Sequence, residues 1–351
     1  MSKKEFNYYC FKGSYREVGI QYGEAMKDDL KMWNSRQLEN LSEKFSLTKE
    51  NVYHRVNTYL PIIKKYAPEH IEQLRGMAYG SGLSLEDALL FQVYGEITYE
   101  GSNPLPECTV FSISSDYAGN GKHYAGQNCD MNAAYAEKCS VVTFAVENKP
   151  RITYLLPIGY LSYHGLNSEG ISCDHNALFG SPWRFGLPRF FTSRLALESH
   201  TMEELRETLA RITPSASRHS FFADRYGNMT SYEFDATHCG IYTQKDGYFV
   251  HTNHYQFQKM QSFQRMTPEE LHNSEVRHDQ MQQLIERKKG VITELEIMDM
   301  LRNHDNGKDS ICVHDFDGVS TFASIISCLD EGKILIAKGN PCCSEYKAYP
   351  V

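Results

Sequence analysis

Between residues 14 and 100 the apolar positions recur at helical spacing, and beyond residue 107 they fall into short runs typical of strands. The segment from Tyr15 to Leu30 carries Val18, Tyr22, Ala25 and Met26 on one helical face. Pro68 suits the first turn of a later helix, where its missing N–H would have no partner in any case. Gly80 and Gly82 read as a helix stop, and Ser84 with Asp87 reads as a capping box that starts the run from Ala88 to Tyr99. The first third of the chain is therefore predicted to be a helical unit.

Residues 101–107, GSNPLPE, break that pattern with two prolines and a glycine. TVFSISS, KHYAGQN, SVVTFAV and ITYLLPI follow, separated by Gly119-Asn120-Gly121 and Asn148-Lys149-Pro150, and read as one antiparallel meander. Helical spacing returns at Met202–Ile212, Pro268–Arg287 and Val291–Asn303, and strands return at FVHTN, TFASIIS and KILIAKG. Strands at both ends with helices between predict a layered α+β domain rather than a parallel βαβ fold. No internal repeat is present.

Composition narrows the function. With 351 residues, 41% of them hydrophobic, the chain can bury one large core or two modest ones. A formal charge of -8 argues against nucleic acid or an anionic membrane as partner, since both need a basic face, and favours a small molecule. MSKKEFNYYC lacks an apolar segment after its lysines, and no run reaches the roughly 18 apolar residues of a membrane span, so a cytoplasmic protein is expected. Ten cysteines lie at irregular distances with no CxxC pair, which predicts neither a zinc nor a redox framework. His251 and His254, three apart in a β-prone run, fall on opposite faces. No metal and no cofactor are expected.

Cys108 stands where the helical unit ends and the first strand begins, a position that also suits an ordinary half-buried thiol. Its surroundings are more specific. CTVFSISSDYAGNGKHYAGQNCDMN, GLNSEGISCDHNALFG, VHTNHY, DNGKDSICVHD and TFASIISCLDEGKILIAKGNPC occur in this order, preceded by GSYREVGIQYGEAM. Together they resemble the isopenicillin-N acyltransferase family, relatives of the choloylglycine and penicillin V amide hydrolases, along nearly the whole chain. In that family Cys-Thr opens a strand and a Gly-Gln-Asn-x-Asp turn closes the next.

The resemblance implies a four-layer αββα N-terminal-nucleophile hydrolase fold. Residues 1–107 would be a helical pro-segment retained as a small subunit after cleavage, and 108–351 the catalytic domain. It implies self-cleavage between Glu107 and Cys108, after which the new α-amine, with an ordinary pKa of about 7.7–8.0, takes the thiol proton. Asp130 matches the aspartate that holds this amine, Asn253 the oxyanion donor, and Asn176 a second polar contact to substrate or oxyanion. Gln127 and Asn128 are expected to support the site and bind substrate. Trp183 and Phe185, with Phe190 and Phe191, either line an acyl pocket or pack as core and loop residues. The substrate would be a small acyl amide, or an acyl thioester plus an amine, with hydrolysis slightly favoured over transfer.

The chain departs from the family pattern in places. Glu107 replaces the glycine found before the cut in the penicillin enzyme, Cys129 and Met131 replace tryptophans, Gln127 stands where bile-salt enzymes have arginine, and SRHS at 217–220 lacks an asparagine. Two other readings stand beside this one: an uncleaved, non-catalytic binding protein of the same fold, and a conventional Cys-His protease using His175 or His254.

Overall fold

The computed structural model describes residues 5–98, 107–180, 184–215, 217–235, 237–316 and 318–351, with Glu107 as backbone only. A strand, β1 (Tyr8–Gly13), precedes the helices α1 (Tyr15–Ala25), α2 (Lys27–Phe45), α3 (Lys49–Thr58), α4 (Leu60–Tyr66), α5 (Pro68–Ser81) and α6 (Leu85–Thr98). There follow β2 (Glu107–Ile113), β3 (Tyr124–Met131), β4 (Cys139–Val146), β5 (Ile152–Pro157), β6 (His164–Asn167), β7 (Ser172–Ala177), α7 (Arg189–Leu197) and α8 (Met202–Arg211). The rest comprises β8 (Arg218–Ala223), β9 (Asn228–Phe234), β10 (Cys239–Lys245), β11 (Tyr248–His251), α9 (Gln258–Gln261), α10 (Pro268–Arg287), α11 (Glu294–Leu301), β12 (Ser320–Cys328), β13 (Lys333–Lys338) and β14 (Tyr346–Pro350).

Local chemistry sets many of these limits. Ser14 and Glu17 cap α1 reciprocally, as Thr267 and Glu270 cap α10. Ser84 and Asp87 form the predicted box before α6. Gly82, at φ +75°, ends α5 as expected, but Gly80 lies inside that helix. The reason is packing: a Cβ on Gly80 would stand 2.3 Å from the Ile20 carbonyl oxygen, and one on Gly19 2.0 Å from that of Gln73. The helices α1 and α5 thus touch backbone to backbone.

The single meander expected after residue 107 is in fact two sheets. β2 and β3 belong to a six-stranded sheet of order β11-β2-β3-β12-β13-β14, whereas β4 and β5 belong to an eight-stranded one of order β1-β4-β5-β6-β7-β8-β9-β10. A short 3-10 turn, Ala133–Lys138, capped by Asn132, carries the chain from one to the other. The first residues are not purely helical either, since β1 pairs in parallel with β4 from Tyr8 opposite Val141 to Gly13 opposite Val146.

Met281 and Ile285 of α10 and Ile297, Met300 and Leu301 of α11 pack on Phe111, Ile113, Tyr124 and Ile326 of the six-stranded sheet. On the other side Tyr22 of α1 meets Phe11 and Phe144 of the eight-stranded sheet edge-on. With both faces covered, β12 is buried throughout its length and β4 nearly so. The architecture is α+β in four αββα layers. No helix among the described residues is long and apolar enough to cross a membrane.

Candidate active site

Cys108 sits on β2 opposite Cys129 of β3, which places Glu107 opposite Asp130. The residue is 4% exposed. Its backbone N–H donates to Asn253 Oδ1 at 3.0 Å, and its carbonyl accepts from Asn176 Nδ2 and from Arg277 Nη1, each at 2.9 Å. Three side chains from the end of β7, the turn after β11 and the middle of α10 therefore converge on one backbone unit.

Each is itself held. Asn176 Oδ1 faces His219 Nδ1 at 2.8 Å and His251 Nδ1 at 3.0 Å, so its amide is oriented with the NH2 group toward Cys108. His219 stacks on His251 with centroids 3.5 Å apart, and burial holds His219 well below the ordinary imidazole range, with His251 adding to the effect. Asn253 Oδ1 also accepts from Arg277 Nη2 at 2.9 Å, while its Nδ2 donates to the Ala177 carbonyl at 3.1 Å. Arg277, fully buried, further donates to Thr109 Oγ1 at 3.0 Å and to Asn273 Oδ1 at 2.9 Å. Asp130 is buried and accepts from Thr321 Oγ1 at 2.5 Å, across the β3–β12 pairing. Burial, and then the neighbouring Cys108 thiol, push the Cys129 thiol up.

A cavity of about 430 Å³ opens onto Cys108. Its walls include Asn176, Met131 and Phe190 from beyond residue 107, and Trp33 of α2 and Tyr94 of α6 from the first third of the chain. His164 and His175 also face it, and burial, then Arg218, holds both rings far below their usual pKa and so neutral.

The residues singled out from sequence are not all gathered here. Cys108, Asn176 and Asn253 meet directly, and Asp130 lies one pair along the ladder. Gln127 stands behind them, donating to Cys129 Sγ at 3.1 Å and accepting from the His175 N–H at 2.9 Å. Asn128 does not bind the cavity side: strand alternation turns it outward, where its amide donates to the carbonyls of Leu301 and Ile311. Phe185 is 55% exposed against Tyr59 and does not line the cavity, whereas Phe190 does. Trp183 lies outside the described residues. Asn167 organises the β6–β7 turn by accepting from Glu169 and Ile171 N–H groups.

Arg277 is the main residue that sequence reading missed. Its signal was an arginine in the buried stripe Ser274, Arg277, Met281, Ile285 of an otherwise polar helix. Two groups of potential donor atoms also come together away from this site. His304, His314 and Cys342 bring donor atoms within 4.8 Å of one another, as do Glu294, Cys328 and Glu331. Donors drawn from separate segments leave no local spacing motif. Neither group includes a residue that contacts Cys108.

The family described as acyl-coenzyme A:6-aminopenicillanic acid acyl-transferase matches residues 117–342, well over half of the chain. The chain belongs to this acyl-transferase family. The match spans Asp130, Asn176, Asn253 and Arg277 and begins after Cys108. A curated relative is the 40 kDa form of the acyl-coenzyme A:6-aminopenicillanic-acid-acyltransferase of Emericella nidulans, 24% identical over 303 residues, covering 86% of this chain and 83% of the relative. Among solved structures, a mutant of conjugated bile acid hydrolase from Clostridium perfringens aligns with a TM-score of 0.50 at 14% identity, over 70% of this chain and 97% of that one. This acyl-transferase family member thus has the N-terminal-nucleophile hydrolase fold.

Proposed function

We propose that this protein cleaves the C–N bond of a small acyl amide through a thioester on Cys108, after cutting its own chain between Glu107 and Cys108. The observation that carries the reading is the convergence of Asn253, Asn176 and Arg277 on the Cys108 backbone, beside a cavity of ligand size.

In the precursor the Cys108 thiol adds to the Glu107 carbonyl carbon. The C–N bond breaks, the departing nitrogen takes a proton and becomes the free Cys108 amine, and the acyl chain moves to sulfur; water then hydrolyses that thioester, leaving a carboxylate on Glu107 and freeing the Cys108 thiol. The same thiol next attacks substrate, its proton passing to the α-amine, so nucleophile and base belong to one residue. Asn253 Oδ1, already 3.0 Å from this nitrogen, and Asp130 on the adjacent strand would orient the amine. With Asn253 Oδ1 fixed by Arg277, the NH2 end of that amide is the one to donate to the developing oxyanion. Asn176 acts on the nucleophile's carbonyl and is a positioning residue. Residues 1–107 stay as a subunit because they build part of the cavity wall.

A Cys-His protease is less well supported. Among the described residues no imidazole hydrogen-bonds Cys108; His175 Nε2 faces Ser193 Oγ at 3.0 Å and Cys173 Sγ at 3.2 Å, and His254 faces Ser274. We favour hydrolysis, since water needs no acceptor site, and transfer to an amine would use the same residues. The test is to mix purified protein with activated acyl donors, quench, and weigh the Cys108 fragment. An added acyl mass is expected, and added amines should compete with water only weakly and linearly; saturation at low amine concentration would make the protein a transferase. Consumption of donor with no acyl mass on that fragment would contradict the reading.

A further inference from the structure

We propose that Cys312, His314, Cys342 and His304 together hold a Zn²⁺ ion, which pins the segment after α11 to the turn between β13 and β14. The Cys108 chemistry uses none of these side chains, so the metal site stands or falls independently of the nucleophile assignment.

Cys312 is buried in the stretch before β12, and His314 follows it at the surface; Cys342 is half-buried in the turn after β13, and His304 is exposed just beyond α11. The sulfurs of Cys312 and Cys342 are 3.8 Å apart, and His314 Nε2 lies 3.7 Å from the first and 3.2 Å from the second. A ring nitrogen of His304 comes within 4.8 Å of the His314 and Cys342 donor atoms. With Zn–S of about 2.3 Å and Zn–N of about 2.0–2.1 Å, a tetrahedral ion sets its ligand atoms about 3.8 Å apart for S···S and about 3.5 Å apart for S···N. The two sulfurs and the His314 nitrogen are thus spaced close to what such an ion requires. Only the surface ring of His304 has to swing inward to complete the tetrahedron.

The groups around the donors point the same way. His304 Nδ1 lies 2.9 Å from the Arg302 carbonyl, which can only accept, so Nδ1 carries the proton and Nε2 keeps its lone pair for a metal. Asn340 Nδ2 donates to Cys312 Sγ at 3.6 Å, a contact that steadies a thiolate ligand. Imidazole and thiol donors form a borderline-soft set that suits Zn²⁺ and not Mg²⁺ or Ca²⁺, which take oxygen ligands. A disulfide between Cys312 and Cys342 would use the sulfurs but leave both imidazoles at the cluster without a role. The lack of a CxxC pair does not weigh against the site, because folding and not local spacing brings these ligands together. With protein side chains at every position of the tetrahedron, the ion would be structural and would have no open position for substrate.

The experiment strips full-length protein with a chelator under reducing conditions and titrates it with Zn²⁺ against a chromophoric competitor, with Co²⁺ as a spectroscopic probe. One equivalent of Zn²⁺ is expected to bind with a Kd tighter than about 100 nM, unaffected by excess Mg²⁺ or Ca²⁺. Co²⁺ should give the intense visible bands of a tetrahedral site together with thiolate-to-cobalt absorption in the near ultraviolet. Cys312→Ser, Cys342→Ser and His314→Gln should each weaken binding by more than the roughly 10- to 100-fold that loss of a supporting contact costs. His304→Gln, at an exposed position, should weaken it too while leaving the melting temperature of the metal-free protein unchanged, which separates loss of a ligand from loss of the fold. Cys108→Ala, and Cys328→Ser in the other donor group, should bind as the wild type does. A weaker wild-type Kd, a cobalt spectrum without thiolate absorption, or affinity unchanged within about threefold in both histidine variants would overturn the proposal. So would binding that disappears in Cys108→Ala or Cys328→Ser instead, or a thiol count showing Cys312 and Cys342 joined in a disulfide that reductant does not open.

Discussion

At the scale of the residue, the proposed chemistry depends on how one amide and one guanidinium are held. Asn253→Ala removes the proposed oxyanion donor and is expected to lower kcat by roughly 10²–10³ with little change in KM. Arg277→Met leaves the Cys108 carbonyl and Asn253 Oδ1 short of a donor, a loss of about 1–3 kcal/mol for a buried acceptor, so turnover and self-cleavage should both slow by about 10- to 100-fold. Wild-type kinetics in either variant would detach that side chain from the chemistry. Asp174 supplies a prediction on stability. It is buried on β7, its Oδ2 has no hydrogen-bond partner among the described residues, and burial raises its pKa to about 8. The folded state therefore holds a proton that the unfolded chain releases near pH 4, and stability is lost as pH rises from there to about 8. Against Asp174→Asn, the wild type should lose roughly 1.4 kcal/mol per pH unit in that window and then level off. Parallel denaturation curves at pH 5 and 8 would contradict it. Cys108, Asp130, Asn176 and Asn253 were legible because each stands in a quoted motif. Arg277 was not, since nothing along the chain shows that one residue of a helix stripe will face this cysteine.

At the scale of the element, periodicity carried the reading where packing agreed with it. The α10 helix runs from Pro268 to Arg287 as predicted because Thr267, Pro268 and Glu270 mark its start locally. β1 was missed because its partner β4 lies more than a hundred residues away. The switch of sheets after β3 was missed because strands look alike whichever sheet they join. Gly80 was misread for a related reason: its role is set by Ile20 on another helix, not by its own helix end. Gly19→Ala and Gly80→Ala should each push α1 and α5 apart and lower stability by more than about 1 kcal/mol, whereas Gly82→Ala, whose Cβ would meet only the flexible end of Lys31 at an ordinary 3.8 Å, should cost about 1 kcal/mol through its left-handed φ alone. Melting curves in which all three variants match would remove the close crossing as the cause.

At the scale of the whole molecule, residues 5–98 pack as part of the same fold as the rest of the described chain. They supply an edge strand to the eight-stranded sheet and the Trp33 and Tyr94 wall of the cavity. They are also tied in by buried polar bonds. Tyr15 Oη donates to Glu198 at 2.8 Å, His70 meets the same carboxylate at 3.0 Å beside Arg194, and Gln92 bonds Gly159 and Leu161. Burial pushes the Glu198 carboxyl up, but His70 and Arg194 outweigh it and hold the group well below the ordinary carboxylate range. This stability is present above the ordinary carboxylate pKa and is lost as pH falls toward the folded value. Both pieces should therefore elute as one peak on size exclusion at pH 7 and separate only in acid or denaturant; a released small fragment at pH 7 would make residues 1–107 a discarded propeptide. The central claim is tested most directly by the intact mass of freshly purified protein followed by N-terminal sequencing. A fragment beginning Cys108-Thr109-Val110 that is absent from Cys108→Ala is expected, and an active single chain, or a cut that persists unchanged in Cys108→Ala, would contradict self-processing at Cys108.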